Sequence, residues 1–231
     1  MLLLGDAMKL MLGPTVLAAA LTLANAAIAA PAVTVSGGDV VYVDAVGVRH
    51  PLTSGGGFKE PRLAPDGHTV AFNHVDGAAQ SADEDAPTSL WVADGVKGGA
   101  RKLIGHHDSG DMKQVFMSYG GPVFSLDGGF VYVTARAWAT SGAVHQVSLA
   151  TGQEHFVIDG GVDRIIRTGP WRGYLLVTRH MYYPAPKEGS YDPTYVVRPD
   201  AKQSFMVPGT DKDDGVEHVT PWLKQHGWQA W

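Results

Sequence analysis

The stretch Glu60-Pro61-Arg62-Leu63-Ala64-Pro65-Asp66-Gly67-His68-Thr69-Val70-Ala71-Phe72 decides the fold. A proline opens it, an Asp-Gly pair interrupts it, and a run follows in which Val70 and Phe72 share one face. Side chains alternate between the two faces of a strand, and Asp-Gly favours a tight turn. The stretch therefore predicts a strand, a turn and a second strand.

This element occurs three times along the chain. A second copy is Gly121-Pro122-Val123-Phe124-Ser125-Leu126-Asp127-Gly128-Gly129-Phe130-Val131-Tyr132-Val133, and a fainter third copy lies in 220–228. Recurrence at a fixed spacing is typical of a repeat fold. In every copy a glycine follows the proline by six residues: Pro61 to Gly67, Pro122 to Gly128 and Pro221 to Gly227.

A second pattern follows the first and completes each unit. It consists of an aliphatic or aromatic strand, a polar turn and an outer strand, and it also occurs alone at 39–53. Together the two patterns give a four-stranded antiparallel sheet of about 50 residues, the size of a propeller blade. In the third unit, Trp171-Arg172-Gly173 replaces the Asp-Gly turn. The predicted units are 58–105, 114–160 and 161–209.

The two ends of the chain each match half a unit. Residues 39–53 supply a second half, and 216–231 supply a first half. Sharing one sheet between the ends closes a ring and hides the sheet edges. The sequence thus predicts an all-β propeller of four-stranded antiparallel blades, with about four blades or an incomplete ring. Two alternatives stay open: Pro221 to Gln225 begin a short terminal helix, or the chain is a truncated remnant of a larger propeller.

The first residues have the pattern of a leader. Lys9 precedes an apolar run from Leu10 to Ala24, and Ala27-Ile28-Ala29 gives an A-x-A cleavage sequence. The run is short for a membrane span of roughly 20 residues, which disfavours a transmembrane anchor. We therefore expect a signal peptide over 1–29, a propeller domain over 30–231, a periplasmic or secreted location, and no membrane insertion after cleavage.

Composition excludes several classes of function. The chain has no cysteine, which excludes thiol catalysis and cysteine-ligated metal sites, and its net charge of −5 does not suit nucleic-acid binding. It lacks the Gly-x-Ser-x-Gly elbow, the His-Glu-x-x-His zinc helix and a strand followed by Gly-x-Gly-x-x-Gly. The sequence accordingly predicts no catalytic residue and no cofactor.

Histidine provides the best candidate for a metal ligand, since the chain contains ten. His106-His107-Asp108 is the densest group. Adjacent residues of an extended chain point to opposite sides, so the two histidines should not share an ion. The acidic run Asp211, Asp213 and Asp214 lacks the glycine and glutamate of an EF-hand loop. We predict a polar connection and a solvated turn, and no metal site.

The repeat resembles that of TolB-like, WD-type propellers. Those proteins repeat Pro…Ser-Pro-Asp-Gly…Ile-Ala-Phe, then Ile-Tyr-Val-Met-Asp and Leu-Thr. The opening stretch followed by Leu90-Trp91-Val92-Ala93-Asp94 is similar to it, as is Val41-Tyr42-Val43-Asp44. The resemblance covers most of 39–160. It implies a periplasmic interaction module without catalytic residues, although family members usually have about six blades and often an extra domain.

Loops that join equivalent strands should emerge on one rim, where binding usually lies. The richest is 179–193, which contains Met181, Tyr182, Tyr183 and Tyr191, and Trp138 lies in the equivalent loop one unit earlier. Aromatic side chains with a polar end are favoured at recognition surfaces. We predict that these five residues bind a periplasmic or secreted protein or peptide. The alternative for Tyr182 and its neighbours is packing between blades.

An enzymatic function is the competing hypothesis. It would be a propeller-based hydrolase or lyase that acts on a small or sugar-like substrate with histidine and aspartate in the central channel. Convergence of the candidate histidines would favour this reading, and their dispersal would favour binding. The candidates are His74, His106 or His107, His145 and His180.

Overall fold

The structure, a computed structural model, describes residues 29–77, 86–117, 120–211 and 215–230. The predicted signal peptide lies outside the described residues except for Ala29, as do Asp213 and Asp214 of the acidic run. The described chain is all-β apart from one short helix. Its elements are β1 Ala32–Ser36, β2 Asp39–Val43, β3 Arg49–Pro51, β4 Phe58–Leu63, β5 Thr69–Val75, β6 Thr88–Asp94, β7 Gly98–Ile104, β8 Val123–Phe124, β9 Phe130–Arg136, β10 Gly142–Ser148, β11 Glu154–Asp159, β12 Gly161–Ile165, β13 Leu175–Thr178, β14 Met181–Tyr182, β15 Ser190–Tyr191, β16 Thr194–Val197, β17 Ser204–Met206 and α1 Gly215–Gln225.

These strands form antiparallel sheets whose order follows the chain. The first sheet is β1-β2-β3, the second β4-β5-β6-β7, the third β8-β9-β10-β11 and the fourth β12-β13-β16-β17. The hairpin β14-β15 is inserted between β13 and β16 of the fourth sheet. The three four-stranded sheets lie within the three predicted units. The architecture is therefore that of propeller blades, and the sheets do not close into a ring.

The Asp-Gly turns of the second and third sheets have the predicted role. Asp66 Oδ1 accepts hydrogen bonds from the backbone N–H groups of His68 (2.9 Å) and Thr69 (2.8 Å). Asp127 Oδ1 accepts from the Ser125 hydroxyl (2.6 Å), and this bond lowers the pKa of Asp127. The following glycines have φ of +78° and +70°, a conformation that residues with a side chain rarely adopt. The aspartates are turn formers, as predicted.

Each sheet packs on the next through an apolar layer. Val40 and Tyr42 of the first sheet belong to one buried apolar cluster with Phe72 of the second sheet. Leu90 of the second sheet belongs to another cluster, together with Phe116 and with Val131 of the third sheet. A strand that is buried on both faces has a nearly continuous run of apolar residues. Val131, Tyr132 and Val133 of β9 form such a run, and all three are buried. Between the third and fourth sheets the layer contains Tyr132, Val144, Val157, Ile165, Leu175, Val177 and Val197.

The C-terminal end differs from the predicted half-blade. The predicted pairing of a strand in 216–231 with the N-terminal residues is wrong. Residues Gly215–Gln225 form α1 instead, so the alternative prediction of a terminal helix is correct. Val219, Trp222 and Leu223 recur with the helical period, and this spacing prevails over the faint match to the strand repeat. Pro221 lies within the helix and is exposed. The apolar side of α1 packs on Ile166, Leu176, Val196 and Val207 of the fourth sheet and its flanks.

The N-terminal end is built from its own residues. β1 was not predicted, because no Pro…Asp-Gly element precedes Asp39. It pairs with β2 from Ala32↔Val43 to Ser36↔Asp39 through a two-residue turn of glycines. The first sheet is therefore three-stranded, and the prediction of a blade shared between the chain ends is not correct.

Candidate functional site: a pocket on the upper rim

The connections on one edge of the sheets form the surface that we call the upper rim. It comprises residues 105–117 and 120–122 between β7 and β8, 137–141 between β9 and β10, and 179–193 between β13 and β16. The last two leave their sheets at equivalent pairs, Arg136↔Gly142 and Thr178↔Thr194. Because neighbouring blades pack side by side, the three connections meet over the junction of the third and fourth sheets.

A cavity of about 580 Å³ opens between these connections, and we call it the rim pocket. All three connections contribute to its wall, together with the outer strand of the third sheet. It therefore brings together groups far apart in sequence. The side chains that give it its chemical character are Lys113, Trp138, Phe156, Asp159, His180 and Tyr182.

Tyr182 is the most exposed aromatic residue of the pocket, at 66%. Its ring stands edge-on to that of His180, with the centroids 5.0 Å apart and the planes at 89°. Its hydroxyl lies 3.4 Å from Thr140 Oγ1, which belongs to the connection that carries Trp138. His180 is fixed in turn by Asp192, with 2.8 Å between Nδ1 and Oδ1. The Tyr182 ring is thus exposed to solvent, while its contacts with His180 and Thr140 hold it in position.

The other predicted tyrosines lie elsewhere on the hairpin β14-β15. Tyr183 stacks on Tyr191, with centroids 4.6 Å apart and planes at 17°. The Lys187 ammonium lies 3.2 Å from the Tyr183 ring centroid, and Met181 is paired with Tyr191 across the hairpin. Residues two apart in a strand share a face, so Met181 and Tyr183 point away from Tyr182. The structure unites Trp138 with Tyr182 and separates them from Met181, Tyr183 and Tyr191.

The negative charge in the rim pocket is already paired. Asp159 receives the guanidinium of Arg179 through contacts of 2.8 Å to each carboxylate oxygen. That guanidinium also lies over the Tyr195 ring, 5.0 Å from its centroid. Lys113 extends over Phe156, with 5.7 Å between Nζ and the ring centroid. The pocket thus offers aromatic walls and a cation at its edge.

The candidate histidines gather in pairs at two carboxylates, Asp76 and Glu154, while His180 lies at a third, Asp192. Asp76 binds both His74 (3.0 Å) and His106 (3.1 Å). Burial opposes the charged form of Asp76, but these hydrogen bonds and that of Ser89 hold its pKa below the ordinary value. In the part of the chain that the structure describes, no group of three or more histidine, aspartate or glutamate side chains is arranged to hold a metal ion.

His107 turns away from His106, as the sequence predicts. Its Nε2 lies 3.8 Å from a carboxylate oxygen of Glu154, and its ring stacks on Phe116. The other Glu154 oxygen is hydrogen-bonded to Nδ1 of His145, which is fully buried. The two adjacent histidines thus belong to different clusters. In the described residues the candidate histidines lie at three separate carboxylates.

Several residues of the rim pocket were not predicted from the sequence. Phe156 and Asp159 come from the outer strand of the third sheet, and Lys113 comes from a connection between sheets. The sequence predicts His180 only as a residue of the central channel, but its ring packs edge-on against Tyr182. No spacing along the chain links these positions. Simple alternation along β11 would place Phe156 and Asp159 on opposite faces, and the register shift between Val144 and His145 brings them to the same face.

Comparison with solved structures supports the propeller fold. The tricorn protease matches with a TM-score of 0.55 and 13% identity over 79% of this chain and 17% of that chain. TolB from Acinetobacter baumannii matches with a TM-score of 0.49 and 16% identity over 77% and 41%. The β-propeller domain of the Trilobed protease from Pyrococcus furiosus matches at 0.48 and 13% over 73% and 48%. The chain spans less than half the length of each.

Sequence comparison adds no family assignment. No protein-family model matches the chain, and no characterised protein matches it in sequence. Among the described residues, no helix has the length and apolar character needed to cross a membrane. The likeness to the tricorn protease, at 13% identity, therefore supports the fold alone.

Proposed function

We propose that this protein is an exported, TolB-like binding module that recognises a periplasmic or secreted protein or peptide through the rim pocket. The observation that carries the proposal is the meeting of Trp138 and Tyr182, from two separate connections, in one cavity of about 580 Å³. The leader-like residues 1–29 and the resemblance of the repeat to TolB-like propellers support an exported location.

The shape and chemistry of the pocket suit an anchor side chain from a polypeptide. Aromatic residues dominate binding energy at protein interfaces when they can enclose a side chain of the partner. Trp138, Phe156 and Tyr182 supply such walls, and Thr140 and Ser141 also line the pocket, where their hydroxyls can bind the partner's backbone. An apolar or aromatic residue in an extended segment is the ligand that this arrangement favours.

The hydrolase or lyase alternative lacks a supporting cluster in the described residues. The histidines on which it depends are bound to Asp76, Glu154 and Asp192, which lie on different sheets or connections. Each pair has the form of a structural contact between neighbouring segments.

The proposal is tested by selecting peptides from a displayed random library against the wild-type protein and measuring their affinity by calorimetry. Tyr182→Ala and Trp138→Ala should each weaken binding about tenfold or more, because loss of an aromatic hot spot costs about 2 kcal/mol. Tyr182→Phe should retain most of the affinity, since the hydroxyl makes only a 3.4 Å contact with Thr140. Pull-down from a cell-envelope extract should lose the same partner in the same variants.

A matched control is Val96→Ala, which removes an apolar side chain that is 57% exposed in the turn between β6 and β7, away from the rim. Equal peptide affinity of wild type and Tyr182→Ala would contradict the proposal. Unfolding of Tyr182→Ala, detected by circular dichroism, would show instead that this residue is part of the packed structure.

A further inference from the structure

The first strands of the second, third and fourth sheets are equivalent elements of the repeat. Their registers with the next strand align one position in each: Arg62 pairs with Ala71, Val123 with Tyr132 and Arg164 with Leu176. In each sheet the following residue is apolar and pairs with an apolar residue of the neighbouring strand. Arg62, Val123 and Arg164 are thus one repeat position, occupied by arginine in two sheets of three.

All three residues line one cavity of about 430 Å³, which we call the central groove. One side is formed by the first strands of the sheets, and the other by Thr220 and Leu223 of α1. The central groove shares no lining residue with the rim pocket. It is a separate site, built from repeat-equivalent positions and closed by the helix.

The backbone is irregular where the charged side chains enter the groove. In β12 the register shifts between Val162 and Arg164, so Asp163 is an extra, unpaired residue. In β4 the register shifts between Lys59 and Arg62, and Glu60 has φ of +52°. Bulges re-aim side chains and are frequent beside functional sites, and a positive φ outside glycine is uncommon. Both irregular segments lead directly into an arginine of the groove.

The two guanidinium groups are available to a ligand. Among the described residues neither Arg62 nor Arg164 forms an ion pair within 4 Å, and both side chains are exposed. Arg62 makes a hydrogen bond to the carbonyl oxygen of Pro61 (3.2 Å), while its neighbour Glu60 is bound to Asn73. Gly121 leaves room beside it, because a Cβ there would lie 3.3 Å from Arg62 Nη2.

The groove carries a net positive charge. Arg62, Asp163 and Arg164 are the charged residues of its wall. The Thr178 hydroxyl donates a hydrogen bond to Asp163 (2.6 Å). The wall thus contains two cations and one anion, and the anion is already bound to a hydroxyl. Such an excess of arginine in a concave site is an arrangement that binds anions.

We propose that the central groove is a second binding site, selective for a ligand that carries a carboxylate or phosphate group bound by Arg62 and Arg164. Guanidinium donates two parallel hydrogen bonds to either anion, and two such groups from different sheets can hold one anion from two sides. The apolar residues Val123 and Leu223 then contact the remainder of the ligand. This inference does not depend on the rim pocket.

The test is a titration of the full chain at constant ionic strength with two probes, inorganic phosphate and tricarballylate, followed by calorimetry and amide chemical shifts. Saturable binding of at least one probe is expected, and the stronger of the two identifies the anion class. Arg62→Gln and Arg164→Gln should each weaken it about tenfold or more, since a charge-assisted bidentate contact is lost. Arg164→Lys should have an intermediate affinity, because charge remains and the fork is lost.

Arg49→Gln is the matched control, since it removes the same charge from an exposed arginine of the first sheet. It should leave binding unchanged, as should Tyr182→Ala in the rim pocket. The proposal is overturned if neither probe saturates, if Arg49→Gln weakens binding as much as Arg164→Gln, or if the shifted amides belong to the rim pocket.

Discussion

The first and fourth sheets lie at the two ends of the row, and their outward faces differ in how they are shielded from solvent. At the C-terminal end, Leu176 and Val196 of the fourth sheet and Ile166 beside it are all at most 2% exposed, because α1 covers them. At the N-terminal end the outward face of β1 carries Ala32, Thr34 and Ser36, which are exposed. A blade at the end of a row needs a cover only where its outward side chains are apolar. The chain satisfies this with a helix at one end and with small or polar residues at the other.

The difference also shows how each end is fastened. The C-terminal end relies on apolar burial, with an aromatic cluster of Trp171, Trp222 and Trp228 around the helix. The N-terminal sheet is held by its inward face and by a polar contact, the Tyr42 hydroxyl donating to the Gly67 carbonyl oxygen at 2.9 Å. Substitutions at the two ends should therefore differ in size and in sensitivity to pH.

Leu223→Ala should have the largest effect. Leu223 is 6% exposed and lies at the centre of the contact between α1 and the fourth sheet, and truncating a buried leucine costs about 3 kcal/mol. Urea unfolding followed by tryptophan fluorescence measures the loss. The neighbouring Lys224→Ala, at an exposed position, is the control. A loss below about 1 kcal/mol for Leu223→Ala would mean that the helix is not needed as a cover.

Tyr42→Phe should reduce the free energy of unfolding by about 1 kcal/mol, because it removes one hydrogen bond from a buried hydroxyl and keeps the ring. Hydrogen exchange of β2 amides should accelerate with it. Tyr174→Phe serves as comparison, since its hydroxyl bonds Gln203 at a more exposed site. Equal stability of Tyr42→Phe and wild type would mean that apolar packing alone holds the first sheet.

Acid should loosen the N-terminal sheet before the helical end. Asp44 accepts hydrogen bonds from His50 (3.0 Å) and from the Val46 and Val48 amides, and the bond from His50 is the main cause of its lowered pKa. A lowered pKa in the folded state gives stability that is present above the unfolded value of about 3.9 and is lost as the pH falls through the folded value.

Hydrogen exchange between pH 6 and pH 3 checks this, after correction for the intrinsic pH dependence of exchange. Amides of β2, β3 and the intervening turn should open earlier than those of β13 and β16 under α1, and Asp44→Asn should remove the difference. Simultaneous opening of both ends would contradict the assignment.

Val35→Ala should have the smallest effect. Val35 lies on β1 and is 39% exposed, and substitutions at such surface positions usually change stability by less than about 0.5 kcal/mol. Thermal unfolding measures it against wild type. A loss above about 1 kcal/mol would contradict this, and would mean that Val35 packs with Val40 on the inward face of the first sheet.

Much of the scaffold was predictable because it rests on local rules. Asp66 and Asp127 form turns whose geometry depends on residues within three positions, and the alternation of the following strands is equally local. The helix was harder to predict, because Pro221 matches the strand repeat while Val219 and Leu223 match the helical period. Burial against the fourth sheet decides between them, and this contact between distant segments leaves no mark in a short window of sequence.

The residues of the candidate sites also differ in whether the sequence could predict them. Tyr182 and Trp138 could be predicted as neighbours because they occupy equivalent connections of the repeat. Phe156 and Lys113 could not, since only the packing of two sheets brings them to the same cavity. Arg62 and Arg164 could not be matched from the sequence, because only the strand registers of the structure place both at one repeat position. The degenerate third unit, which lacks the Asp-Gly turn, concealed this alignment.

The hairpin β14-β15 has a consequence for how recognition can change. Thr178 and Thr194 are paired directly below it, so the fourth sheet is complete without the hairpin. The hairpin is therefore an insertion that the fourth sheet does not need for its own strand pairing, so its length and side chains can change. New specificities can arise there by substitution or insertion while the packed blades, and with them the tolerance of the protein to heat, stay as they are.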